Sequence, residues 1–162
     1  MQQSDLEELP TRVRERYNAL TPDHFEGHPE VIALRNELRE AEALCREPQS
    51  RVTAHRERQA VLFADREEAI QTMAQIDANR PARLARLLMT GGALTEDDTE
   101  HARRGDLAQF IERVDVAEPA IEATRLELER PLRLARHGPE AVDDKLRDLL
   151  EKLRLEEARR GD

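Results

Sequence analysis

The stretch RLLMTGGALTEDDTEHARR, Arg86–Arg104, sets two adjacent glycines between a leucine-rich run and a threonine followed by three acidic residues. It reads either as a loop that cradles phosphate or as the tip of a helical hairpin. A phosphate loop needs a strand, then G-x-x-x-x-G-K-[ST], then a helix, because backbone amides wrap the phosphates while a lysine and a hydroxyl reach phosphate and magnesium. Here no lysine follows the glycines, an amphipathic stripe precedes them, and Glu96, Asp97 and Asp98 stand where an anion would sit. Thr95 with Asp98 three residues on matches a helix N-cap pattern instead. The stretch is therefore expected to be a hairpin tip near residues 91–95.

On both sides of this tip apolar residues recur at helical spacing. Upstream, Leu62, Ala69, Met73 and Ile76 form a stripe with Phe63 and Ile70 beside it, and Leu84, Leu87 and Leu88 carry it past Pro81 to the glycines. The beginning of that arm is weaker, offering Val52, His55 and Gln59. Downstream, Leu107, Phe110, Val114, Ala117, Ile121, Thr124 and Leu128 alternate by three and four, the spacing of a stripe that meets a partner helix. Two stripes joined by a short connection predict antiparallel neighbours. Pro81, Pro119 and Pro131 each mark a kink or a restart, and Gly105 loosens the start of the return arm.

Further out, a short helix is expected over Ser4–Leu20, with Leu6, Leu9, Val13 and Leu20 on one stripe and Tyr17 beside it. The linker TPDHFEGHP follows, and from Pro29 a second helix carries Val31, Leu34, Leu38, Ala41 and Cys45 until Glu47 and Pro48 end it. His137-Gly138-Pro139 is a second stop, and a last helix from about Glu140 presents Val142, Leu146, Leu149 and Leu153. The expected fold is all-α: an elongated, coiled-coil-like antiparallel hairpin over residues 49–137, between N-terminal short helices and linker in 1–48 and a C-terminal amphipathic helix in 138–162. Leu34, Leu38, Leu44, Val142, Leu146, Leu149 and Leu153 are apolar surface beyond what one hairpin covers, and are the candidates for a protein interface.

Composition agrees with this reading and excludes others. The 162 residues are 38% charged, 38% hydrophobic and only 2% aromatic, the make-up of long helices with narrow seams and no thick core. Acidic residues outnumber basic ones by 35 to 26, for a net charge of -9, and the two signs are interspersed, which disfavours nucleic acid as a partner. Apart from Lys145 and Lys152 the basic residues are arginines, suited to forked pairing with carboxylates. In this the chain is similar to small helical virion and accessory proteins of high-GC bacteria and their phages, a likeness of composition without a motif. Cys45 is the single cysteine, so no intrachain disulfide forms, and it continues an apolar series as a buried thiol would. MQQSDLEELP lacks a secretory pattern and no run approaches the roughly 20 apolar residues of a membrane span, so the expected location is the cytoplasm or an assembled particle.

Three constellations are weighed as chemistry. His24 and His28 stand four apart near Asp23, Glu26 and Glu30, but HFEGH displaces the glutamate of H-E-x-x-H and puts a glycine inside the turn. Glu96, Asp97, Asp98 and Glu100 with His101 lack the alternating oxygen ligands and central glycine of a calcium loop, and favourable charge at a helix start accounts for them. His55 falls on an apolar stripe as a polar seam position. No nucleophile has a recognisable context and no glycine-rich cofactor loop exists, so no catalytic, cofactor or metal residue is assigned and no small-molecule substrate is evident. The expected function is that of a non-enzymatic helical interaction or structural protein, self-associating or part of a larger assembly, with a protein or a second copy as partner. The alternatives are an acidic inhibitor that mimics nucleic acid in a basic groove and, behind it, a metal-assisted enzyme using the His24–Glu30 segment or the acidic tip.

Overall fold

The computed structural model describes residues 9–160. Among them there is no strand: the chain forms α1 (Thr11–Ala19), a 3-10 turn over Pro22–Phe25, α2 (Pro29–Met89) and α3 (Thr95–Arg160). The two long helices pack against each other as an antiparallel hairpin whose turn lies where the paired glycines predict it. Good helix formers fill the long arms, and a seam recurring by three and four makes their pairing favourable.

The seam of α2 runs in one register from Val31 to Leu87. It passes Leu34, Leu38, Ala41, Cys45, Pro48, Val52, His55, Gln59, Leu62, Arg66, Ala69, Met73, Ile76, Arg80 and Arg83, nearly all of them buried or half-buried. The facing seam of α3 includes Leu107, Ile111, Val114, Glu118, Ile121, Arg125, Leu128, Leu132, Ala135, Pro139, Val142, Leu146, Leu149 and Leu153. The two stripes read from sequence are corrected at one point each. Thr124 is exposed, its hydroxyl donating to the Ala120 carbonyl one turn back, and Arg125 takes its place in the seam. Leu88 is likewise outside the seam, at 68% exposure, while Leu87 is buried.

The expected stops are also corrected. α2 continues through Pro48 and Pro81, and α3 through Gly105, Pro119, Pro131 and Gly138-Pro139, so the short helix ending at Pro48 and the separate helix from Glu140 belong to the two long ones. An interior proline removes one backbone donor and crowds the preceding turn, at a cost of about 3 kcal/mol. Local sequence thus favours a break, and seam pairing on both sides of each proline outweighs it. Pro81, Pro119 and Pro131 are exposed, which leaves the freed carbonyl of the preceding turn accessible to water.

The chain groups into two compact units, one comprising residues up to Gln49 together with those from Arg130 onward, the other Ser50–Glu129. In the second unit cross-helix pairs step away from the tip in order: Arg86 with Glu96, Arg83 with Asp97, Asp77 with Arg104, Arg66 with Asp115 and Glu118, Gln59 with Glu122, and Arg56 with Glu129. The guanidinium of Arg66 also lies 4.7 Å from the centre of the Phe63 ring. His55 donates from Nε2 to the Ile121 carbonyl across the seam at 3.1 Å.

In the first unit α1 packs on the end of α3. Val13, Tyr17 and Ala158 form a buried cluster with Leu9, Leu20 and Leu155 around it. Arg154 lies 4.1 Å over the Tyr17 ring and donates from Nη2 to the Tyr17 carbonyl at 2.9 Å. The helix expected over Ser4–Leu20 is observed from Thr11 to Ala19 with Pro10 at its N-cap, and Ser4 and Leu6 lie outside the described residues. The remaining cross-helix contacts of this unit follow the hairpin, with Arg136 donating to Gln49 and Gly138 beside Ala41.

Candidate functional site

The tip combines an ordered turn with exposed apolar side chains. Gly91 has φ +66, the Gly92 amide donates to the Leu87 carbonyl at 3.0 Å, and the Gly91 amide donates to Leu88. This crossed pair of bonds around a left-handed residue ends α2 in a Schellman turn, which a side chain at Gly91 would strain. α3 then begins with the Leu94 carbonyl accepting from the Asp98 amide at 3.0 Å. Leu94 therefore occupies the N-cap position expected for Thr95, which lies in the first turn.

Asp97 does what the sequence did not suggest. It is the one charged residue buried among the described residues, at 5% exposure. Its Oδ1 accepts from Arg83 Nη2 at 2.8 Å and its Oδ2 from Arg80 Nη2 at 3.1 Å, while Arg83 Nε adds a bond to Oδ1 and Arg80 Nε donates to both oxygens. These hydrogen bonds, from Arg80 and then Arg83, hold its carboxyl below the usual carboxylate range. Arg86 adds an exposed pair to Glu96 at 2.6 Å. Carrying the α2 seam in step past Pro81 puts the exposed Arg80 and the half-buried Arg83 on it, and their acid partner shows only once α3 is in place opposite.

Outside this clamp Leu88, Met89 and Leu94 are 68%, 87% and 45% exposed. Three large apolar side chains thus flank a turn held by five charge-assisted hydrogen bonds to Asp97. The arrangement is an apolar end on a backbone already held in place, so covering it carries no backbone ordering cost. Among the described residues no group of three or more His, Cys, Asp and Glu side chains is placed to hold a metal ion.

The other sequence candidates are placed as follows. Val142 and Leu146 are buried, and Leu34, Leu38, Leu149 and Leu153 half-buried, in the seam within one chain; Leu44 is 75% exposed. His24 and His28 do not converge. The Thr21 amide donates to His24 Nδ1 at 3.1 Å, closing the 3-10 turn, and this side chain borders a cavity of about 410 Å³ with Arg16, Leu20 and Glu157. His28 borders a different cavity of about 170 Å³ with Phe25, Leu153 and Glu156. Cys45 donates weakly to the Ala41 carbonyl at 3.6 Å, as a half-buried helical thiol does.

No known protein family, curated protein or solved structure matches this chain. No helix among the described residues is long and apolar enough to cross a membrane.

Asp97 also supplies a pH prediction. Its carboxylate keeps its charge to lower pH in the folded chain than in the unfolded one, so the unfolded chain takes up the proton first as pH falls. The clamp's stabilisation is complete above about pH 4 and disappears as pH drops through the folded value. Asp77, Glu122 and Glu129, shifted in the same direction by hydrogen bonds from Arg104, from Gln59 and Arg125, and from Arg56 and Arg125, add to the same loss. Thermal melts followed downward from neutrality should hold their midpoint and then fall by several degrees in that acid range. Asp97→Asn should start lower at neutral pH and fall less. A variant whose midpoint tracks the unmodified chain at every pH would remove the clamp from the account.

Proposed function

We propose that this chain is a non-enzymatic helical interaction protein that works as a subunit of an assembly and engages a protein partner through the tip of its hairpin. The carrying observation is the exposure of Leu88, Met89 and Leu94 on a turn fixed by the buried Asp97 clamp. Apolar side chains left in water on a rigid support cost no backbone ordering when they are covered, and each large one buried contributes roughly 1.5–3 kcal/mol before its side-chain ordering is subtracted. The acidic-mimic reading has less support, because carboxylates such as Asp77, Asp115, Glu118 and Glu129 are interleaved with arginines that pair them. A single acidic face of the kind that fits a basic groove is not what this interleaving produces.

A photo-crosslinking residue at Met89, compared with one at the exposed Glu57 on the same helix, tests the reading in the native source. A discrete protein adduct is expected from Met89 and none from Glu57. Leu88→Ser combined with Met89→Ser should weaken capture of that partner roughly a hundredfold, with helicity by circular dichroism unchanged. Equal labelling at both positions, or capture indifferent to the double substitution, would dismiss the tip as the contact.

A further inference from the structure

α3 carries a second apolar stripe that α2 does not cover. Val116, Pro119, Ala123 and Leu126 follow one another at three, four and three residues, and all four are exposed, Val116 at 76% and Leu126 at 53%. On the same helix Val114, Ile121 and Leu128 face the seam, so the stripe lies on another side. Helical spacing of apolar residues on an outward face is the pattern of a strip that meets another helix.

The charges beside the stripe identify which helix. Arg113 precedes it and Glu127 follows it, seven and four residues from Ala120 and Ala123 respectively on one flank, both exposed, and neither has an ion-pair partner among the described residues. Laid antiparallel against a copy of itself, the stripe sets Val116 opposite Leu126, Pro119 opposite Ala123, and Arg113 beside Glu127, each pair occurring twice. A parallel copy would carry the Arg113–Glu127 flanks of the two chains on opposite edges of the interface, where they do not meet. Complementarity to itself under a two-fold rotation is the defining property of an isologous interface, and alanines at its centre let two backbones approach. The acids on the other flank do not oppose this pairing, because Asp115 is held by Arg66 and Glu122 by Arg125 within the chain.

We infer that a second copy of this chain docks antiparallel on the Val116–Leu126 stripe, giving a two-fold dimer with its axis between Pro119 and Ala123. The inference deepens the interaction reading above by naming a self-contact, on a surface separate from the tip. Tip crosslinking can therefore fail while the dimer stands, and the reverse.

Sedimentation equilibrium of the full chain at micromolar concentration is the test. A dimer is expected, with Val116→Glu plus Leu126→Glu monomeric and still helical. Arg113→Glu alone and Glu127→Arg alone should each weaken dimerisation about tenfold or more, since each puts like charges together twice. The two combined should restore it, because the exchanged charges pair again across the axis. This charge exchange keeps the test decisive even if the glutamate pair disturbs folding. A monomer at every concentration overturns the inference, as does a dimer unaffected by the stripe substitutions or one that the charge exchange fails to rescue.

Discussion

Leu146→Ala should lower the free energy of unfolding by about 3 kcal/mol, the middle of the range for truncating a buried leucine. The side chain is 6% exposed in the seam of the first unit, where it continues the series of Val142 and Leu149. A two-helix seam has few neighbours able to close the resulting space, so a strong effect is expected despite the thin core. Its dependence on concentration is as informative as its size. Cover supplied from within the chain makes the loss the same at every protein concentration, whereas cover from another chain would make it grow on dilution. Denaturant titration at two concentrations well apart distinguishes the cases, and a loss under about 1 kcal/mol would contradict the burial.

Pro81→Ala should act in the opposite sense, raising stability by about 2 kcal/mol. Pro81 sits inside α2 and is exposed, so its ring keeps the Asp77 carbonyl from receiving its usual helical amide. Restoring the donor recovers about 3 kcal/mol, and the greater freedom of the unfolded chain without proline takes back about 1. The midpoint of thermal unfolding should rise by roughly 4–8 °C for a chain of this size. No change, or a fall, would mean that residue 81 begins a separate helix whose first-turn amide has no acceptor.

The two predictions touch the elements that sequence reading handled best and worst. Val31, Leu38, Val52, Leu62, Ala69 and Ile76 were legible because apolar side chains must point to one side of a paired helix, and their spacing needs no knowledge of the partner. The turn was legible because Gly91 supplies the left-handed residue that a Schellman ending requires. The helix ends assigned to Pro48 and to Gly138-Pro139 failed because local preference is a statement about an isolated segment, while the facing helix decides the outcome in the pair. Val142 and Leu146 are buried along the continuous α3. Arg80, Arg83 and Asp97 were hidden because a polar seam position is recognisable only once its opposite number is known. The outward stripe of α3 was masked by the stronger seam it accompanies.

The Asp97 clamp has a consequence for which alignment of the two arms is chosen. A seam that repeats every seven residues is nearly degenerate: displaced by one repeat, leucines and alanines would still meet leucines and alanines. Such a displacement would set Asp97 against Met73 and Ile76, or against Leu87 and Thr90, and part its carboxylate from both arginines. An ion without its counterion in that setting is far more costly than any mismatch among the aliphatic layers. The triad thus acts as a key cut into an otherwise repetitive zipper, excluding the slipped alignments that the leucines alone would tolerate.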